Sequence, residues 1–154
     1  MTNKPQSHYE FSVIFSDKYA TLTYNEELAM AICCADTEYI PINEFKKLFV
    51  FVSEFTETSK VCHFVFDKRN LRTFHQPSME WYFAIWKPSL KVRGLVNHYK
   101  ILPQLDWFAK AVDAGKHEIF QKYGKDIFNG INITYVKSVE EVIEQIGNAK
   151  KGQI

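Results

Sequence analysis

Little in this chain points to covalent catalysis, to a metal or to a membrane. Its three cysteines, Cys33, Cys34 and Cys62, include an adjacent pair but no CxxC spacing. That excludes a disulfide framework and a paired zinc arrangement, and leaves them as reduced, core-filling thiols. No run approaches the roughly 18 apolar residues of a membrane span, and the stretch from Met1 to Ser7 lacks the apolar centre of a signal peptide. The expectation is a cytoplasmic protein with no membrane span. Nineteen basic residues stand against eighteen acidic ones, with no block of five or six like charges. Nothing here grips a phosphate backbone, so nucleic acid is not an expected partner. The GxSxG elbow, the P-loop and the GxGxxG fingerprint are all missing. His63, His75 and His98 lack the HxH or HxxxH spacing that puts two ligands on one face. No cofactor, no metal and no enzymatic activity are expected.

What the chain does have is apolar and aromatic residues in abundance. Across 154 residues it is 46% hydrophobic, 24% charged and 16% aromatic, ample for one packed domain. The expected domain is the whole of 1–154, with 1–8 and 148–154 frayed.

Two alternating runs, Glu10 to Phe15 and Tyr19 to Tyr24, flank Asp17-Lys18 and predict an antiparallel hairpin. Leu28 to Ala35 suits a strand or a short helix, with the strand preferred. Ile42, Phe45, Phe49, Val52 and Phe55 recur at helical spacing behind Pro41, which predicts a helix ending near Thr58. Val61 to Phe66 is an apolar run that breaks into Asp67-Lys68-Arg69-Asn70, and it reads as a buried central strand. A second helix is expected from Pro77 through Trp86, closed by Pro88.

Leu95 to Leu102 gives another strand, and Leu105, Phe108 and Val112 a further helix, with a bend or break at Gly115 before Lys116 to Tyr123. Ile131 to Val136 alternates as the last strand. Ser138 and Glu141 form a capping box for a terminal helix that carries Val139, Val142, Ile143 and Ile146 up to Gly147. The fold class is therefore α/β: a mostly parallel mixed sheet with an N-terminal β-hairpin and four or five helices. Ile42, Phe45, Phe49, Phe64, Phe66, Ile101, Val142 and Ile146 are expected in one continuous core.

This succession, with the strand ending at Asp67, the Trp81 helix, the Gly94 strand and the Ser138-Val139-Glu140-Glu141 helix, resembles the STAS, or SpoIIAA-like, fold of anti-sigma-factor antagonists. It also resembles short bacterial proteins described as STAS/SEC14-like. The resemblance implies a SpoIIAA-like sheet and a regulatory module that works by binding a protein partner or a second copy. In the antagonists an Asp-Ser pair opens the helix after this strand and its serine is phosphorylated. Here about His75-Gln76 stands in that place, and Ser78 is the nearby substitute, expected to stay unmodified.

In an open α/β sheet the C-terminal strand ends are where ligands and partners dock. The candidate binding residues are accordingly Asp67, Arg69, Arg72, His75, Gln76, Ser78 and Trp81, with Arg69, Arg72, His75 and Gln76 expected on one exposed rim. Asp67 has a plainer reading, as a turn cap paired with a neighbouring amide or arginine. The helix bearing Met79, Trp81, Tyr82, Phe83, Ile85 and Trp86 is apolar on nearly all sides. It either meets a partner or a small apolar, lipid-like ligand, or is covered by neighbouring helices. An enclosed cavity would mark a ligand carrier. Solid packing with exposed aromatics would mark an interaction module.

Overall fold

The computed structural model describes residues 9–152; the frayed ends expected at 1–8 and 153–154 lie outside the described residues. Six strands form one sheet in sequential order: β1 (Ser12–Ser16), β2 (Ala20–Asn25), β3 (Met30–Ala35), β4 (His63–Asp67), β5 (Asn97–Ile101) and β6 (Asn132–Tyr135). β1, β2 and β3 pair antiparallel, and β3 through β6 pair parallel. The first turn is fixed by Asp17, whose carboxylate accepts from the amides of Tyr19 and Ala20 at 2.8 and 2.9 Å.

Helix α1 (Ile42–Phe55) connects β3 to β4. After β4 comes α2 (Gln76–Glu80), which runs through a π-helical segment (Trp81–Trp86) straight into α3 (Lys87–Lys91). α4 (Asp106–Tyr123) and a short 3₁₀ turn (Lys125–Phe128) lead to β6, and α5 (Val139–Gly152) closes the described chain.

Alternation along the strands sorts side chains between two cores. Phe64 and Phe66 face α1, α2–α3 and α4 in a large cluster that includes Phe45, Phe49, Tyr82, Phe83, Trp86 and Phe108. Val65 faces the other way, into a smaller cluster with Met30, Ile101, Val142 and Ile146 under α5. The single continuous core expected from sequence is thus two, because a sheet covered on both faces separates them. Ile42 is only half-buried and joins neither.

Helix boundaries differ from expectation. Pro88 does not close the second helix; the preceding π turns, in which the Lys87 amide donates to the Tyr82 carbonyl, widen the backbone. That widening relieves the clash a proline ring makes with the carbonyl one turn back. The terminal helix passes Gly147 and reaches Gly152, so residues 148–152 expected to fray are helical. Its capping box forms from Ser138 Oγ, which accepts from the Glu141 amide at 3.1 Å, while the Glu141 carboxylate accepts from the Lys137 amide rather than from Ser138.

Gly115 does not break α4, which is continuous through it. The glycine is there for contact: a Cβ would lie 2.5 Å from Gln76 Oε1, 2.8 Å from Met79 Sδ and 3.0 Å from Phe74 Cζ. Gly115→Val should therefore destabilise the protein by about 1–3 kcal/mol through overpacking. Gly115→Ala should be milder, because a helix-propensity gain of about 1 kcal/mol opposes the clash. Chemical denaturation of the two variants checks the order.

Candidate functional site at the end of strand β4

The site is built where β4 leaves the sheet. Asp67 ends the strand, and the Lys68 amide donates to the Ile101 carbonyl of β5 at 2.8 Å, holding the exit against its neighbour. Continued alternation sends Lys68 to the same side as Phe64 and Phe66, under the helices, and Asp67 and Arg69 to the opposite side.

Asp67 follows its plainer reading. Its carboxylate accepts from Arg69 Nε at 3.0 Å, Arg69 Nη2 at 2.7 Å and the Arg69 amide at 3.1 Å. Arg72 is equally occupied, donating from Nη1 to the carbonyls of Arg69 and Leu71. Of the four residues expected on one exposed rim, Arg69 and Arg72 are exposed whereas His75 and Gln76 are half-buried. Gln76 turns to the Gly115 carbonyl of α4 at 3.4 Å. Trp81 packs against Phe45, ring centroids 6.3 Å apart, with Lys46 Nζ over its face at 5.9 Å.

His75 and Ser78 are the predicted residues that meet in a cavity. His75 caps α2: its Nδ1 accepts from the Ser78 amide at 3.3 Å and lies 2.9 Å from Ser78 Oγ. Because Nδ1 receives an N–H, the hydroxyl is the donor of that second bond, and a neutral imidazole carries its hydrogen on Nε2. Ser78 is buried.

The cavity beside them has a volume of about 60 Å³ and opens to solvent. Its walls are apolar, from Phe45, Phe66, Phe74, Met79, Tyr82 and Phe108, and its polar groups come from Lys68, Thr73, His75 and Ser78. About one water needs 10–15 Å³ of such space, so the enclosed part takes a few heavy atoms and a longer ligand would extend through the mouth. A second, broader cleft of about 680 Å³ is lined by Arg69, Lys100, Tyr135 and Lys137 among others.

The least expected feature is a set of three buried lysines around one aromatic ring. Lys87 Nζ lies 4.6 Å from the Tyr82 centroid, Lys68 Nζ 5.7 Å and Lys100 Nζ 5.8 Å, and Lys100 Nζ is 3.3 Å from the Phe83 centroid. Lys87 and Lys100 are fully buried, and their amines have no hydrogen-bond partner among the described residues. None of the three ion pairs found among the described residues involves this trio. Burial, and then the charge of neighbouring lysines, drives Lys87 and Lys100 well below the ordinary lysine range. Burial first and Lys116 second bring Lys68 down to about 8. In the same core His98 is pushed down to about 2, by burial and then by Lys87 and Lys100.

Of these lysines the sequence drew attention only to Lys68, in the charged break that follows the Val61–Phe66 run. Lys100 was signalled by register: it pairs with Phe66 and Tyr135, two places from His98, on the face that carries Phe64 and Phe66. Lys87 carried no comparable signal, since a lysine after an apolar helix normally reaches back to water.

Among the described residues no group of three His, Cys, Asp or Glu side chains is placed to hold a metal ion, and no helix is long and apolar enough to cross a membrane. No protein-family model matches the chain, and a search of curated proteins finds no match to it.

Proposed function

We propose that this chain is a binding module that carries or senses a small, largely apolar ligand with one polar head, held in the cavity at the end of β4. The observation that carries the reading is the cavity itself: apolar walls, a few convergent polar groups, and a position outside the C-terminal ends of parallel strands. The aromatic helix supports it too. Tyr82, Phe83 and Trp86 point into the core and Trp81 is half-buried, so the segment's apolar exposure is largely Ile85, at 52%. A regulatory module docking a partner through that helix would need more of it at the surface. In a STAS-like frame the ligand would replace phosphorylation as the signal, because Ser78 is enclosed and tied to His75.

Methyl NMR of Met79, titrated with butanol, butyramide and butyrate, tests the proposal. One or more probes should shift the Met79 methyl saturably, with a dissociation constant of about millimolar, equivalent to about 4 kcal/mol. Thr73→Trp, which fills the exposed lip, should abolish the response. Absence of any saturable shift with all three probes would refute the ligand reading.

A further inference from the structure

We propose that Lys68 is a carbonyl-reactive amine, which condenses with a small aldehyde or ketone held in the β4 cavity to give a reversible imine. The inference rests on the reading of that cavity as a ligand site and names the class of ligand it takes.

Three features of the geometry single out Lys68. It lines the cavity while being only 8% exposed, so a ligand in the cavity is brought up to its side chain. Its amine faces rings rather than acids, 5.0 Å from the Phe66 centroid and 5.7 Å from that of Tyr82, with no ion-pair partner among the described residues. The other members of the trio do not line this cavity: Lys87 is enclosed between Tyr82 and Phe83, and Lys100 borders the broader cleft.

Such surroundings suit the chemistry. A lysine nucleophile must be unprotonated, and desolvation beside other cations is how proteins release the proton. The titratable groups bearing on Lys68 are Lys116 of α4, which disfavours its charge, Cys33 of β3, which favours it, and Lys87 and Lys100 over the same Tyr82 ring, whose charge is in turn disfavoured by Lys68. With its pKa near 8, roughly a tenth of Lys68 is the free amine at neutral pH, far more than of an exposed lysine.

In the reaction the Lys68 nitrogen lone pair forms a bond to the carbonyl carbon, and the carbonyl π electrons move to oxygen, which takes up the proton the nitrogen loses. The nitrogen lone pair then closes the C=N bond as the C–O bond breaks, and the oxygen departs with a second proton as water. One carbonyl compound and one amine give one imine and one water, with no change of oxidation state. His75 lines the same cavity and supplies an imidazole for these proton transfers. The apolar walls disfavour return of water to the imine.

The test treats the intact protein with butanal and cyanoborohydride near neutral pH and locates alkylated lysines by peptide mass spectrometry over time. Lys68 should be labelled at least about tenfold faster than exposed lysines such as Lys47 and Lys110. Thr73→Trp should remove that advantage without changing the exposed sites. The comparison within the native protein needs no lysine variant to fold; Lys68→Met, where it folds, should lose the fast label. Labelling of Lys68 no faster than the exposed lysines, while butyramide still shifts Met79, would overturn the imine proposal and leave the ligand site standing. Failure of both would overturn the two together.

Discussion

Phe64→Ala should lower the unfolding free energy by about 3–5 kcal/mol, the range for an aromatic ring removed from a packed interior. Phe64 has no exposed surface, and its ring sits 5.3 Å from Trp86, 5.8 Å from Phe49 and 6.3 Å from His98 by centroid. Those three neighbours come from the π segment, α1 and β5, so collapse into the vacated space would have to move separate elements at once. Trp86 is held further by its indole N–H, which donates to the Phe49 carbonyl at 2.8 Å and to Ser53 Oγ at 3.0 Å. Urea denaturation followed by tryptophan fluorescence reads the change; a loss below about 1 kcal/mol would contradict the central position of β4.

Lys87→Met should act in the opposite direction, stabilising the protein by about 1–4 kcal/mol at neutral pH. Replacing a buried, unpaired ionisable group by an apolar one of similar volume removes a desolvation penalty. What is lost is the contact of its amine with the Tyr82 and Phe83 rings at 4.6 and 5.1 Å, worth less than that penalty.

The sign with pH follows from burial, which lowers the Lys87 pKa in the folded state. Below the ordinary lysine pKa the unfolded chain binds a proton that the folded chain resists, so the native lysine weakens the fold there. The penalty fades as pH rises toward about 10.4, where the unfolded chain releases the proton as well. The advantage of Lys87→Met should accordingly shrink between about pH 7 and about pH 10. A destabilised variant at neutral pH would contradict the picture of an unpartnered amine.

The sheet was legible because its signals are local. Alternation marked the hairpin, the apolar run ending at Asp67 marked a central strand, and helical spacing from Ile42 to Phe55 marked α1. The two-core arrangement was less legible, since assigning Ile101 and Val142 to one face and Phe64 to the other depends on which helices fold over which side. Pro88 and Gly115 misled for a shared reason: both are breakers by propensity, and both are tolerated by tertiary circumstances, a π-widened backbone and a close helix crossing.

The position of the site at the end of β4 followed from the strand, and His75 and Ser78 with it. The cavity walls did not, because Ile40, Phe45, Phe74 and Phe108 converge from well-separated parts of the chain. The lysines around Tyr82 were least legible of all. Sequence shows that a lysine is present, but whether its amine reaches water depends on the packing above it.

The most direct test of the account is an NMR titration of the lysine side chains, with each ¹³Cε resonance followed from about pH 6 to about pH 11. The account predicts that Lys68 titrates near 8 and that Lys87 and Lys100 titrate well below the ordinary lysine range. Lys68, Lys87 and Lys100 all titrating near 10.4, the value of a free lysine side chain, would contradict it.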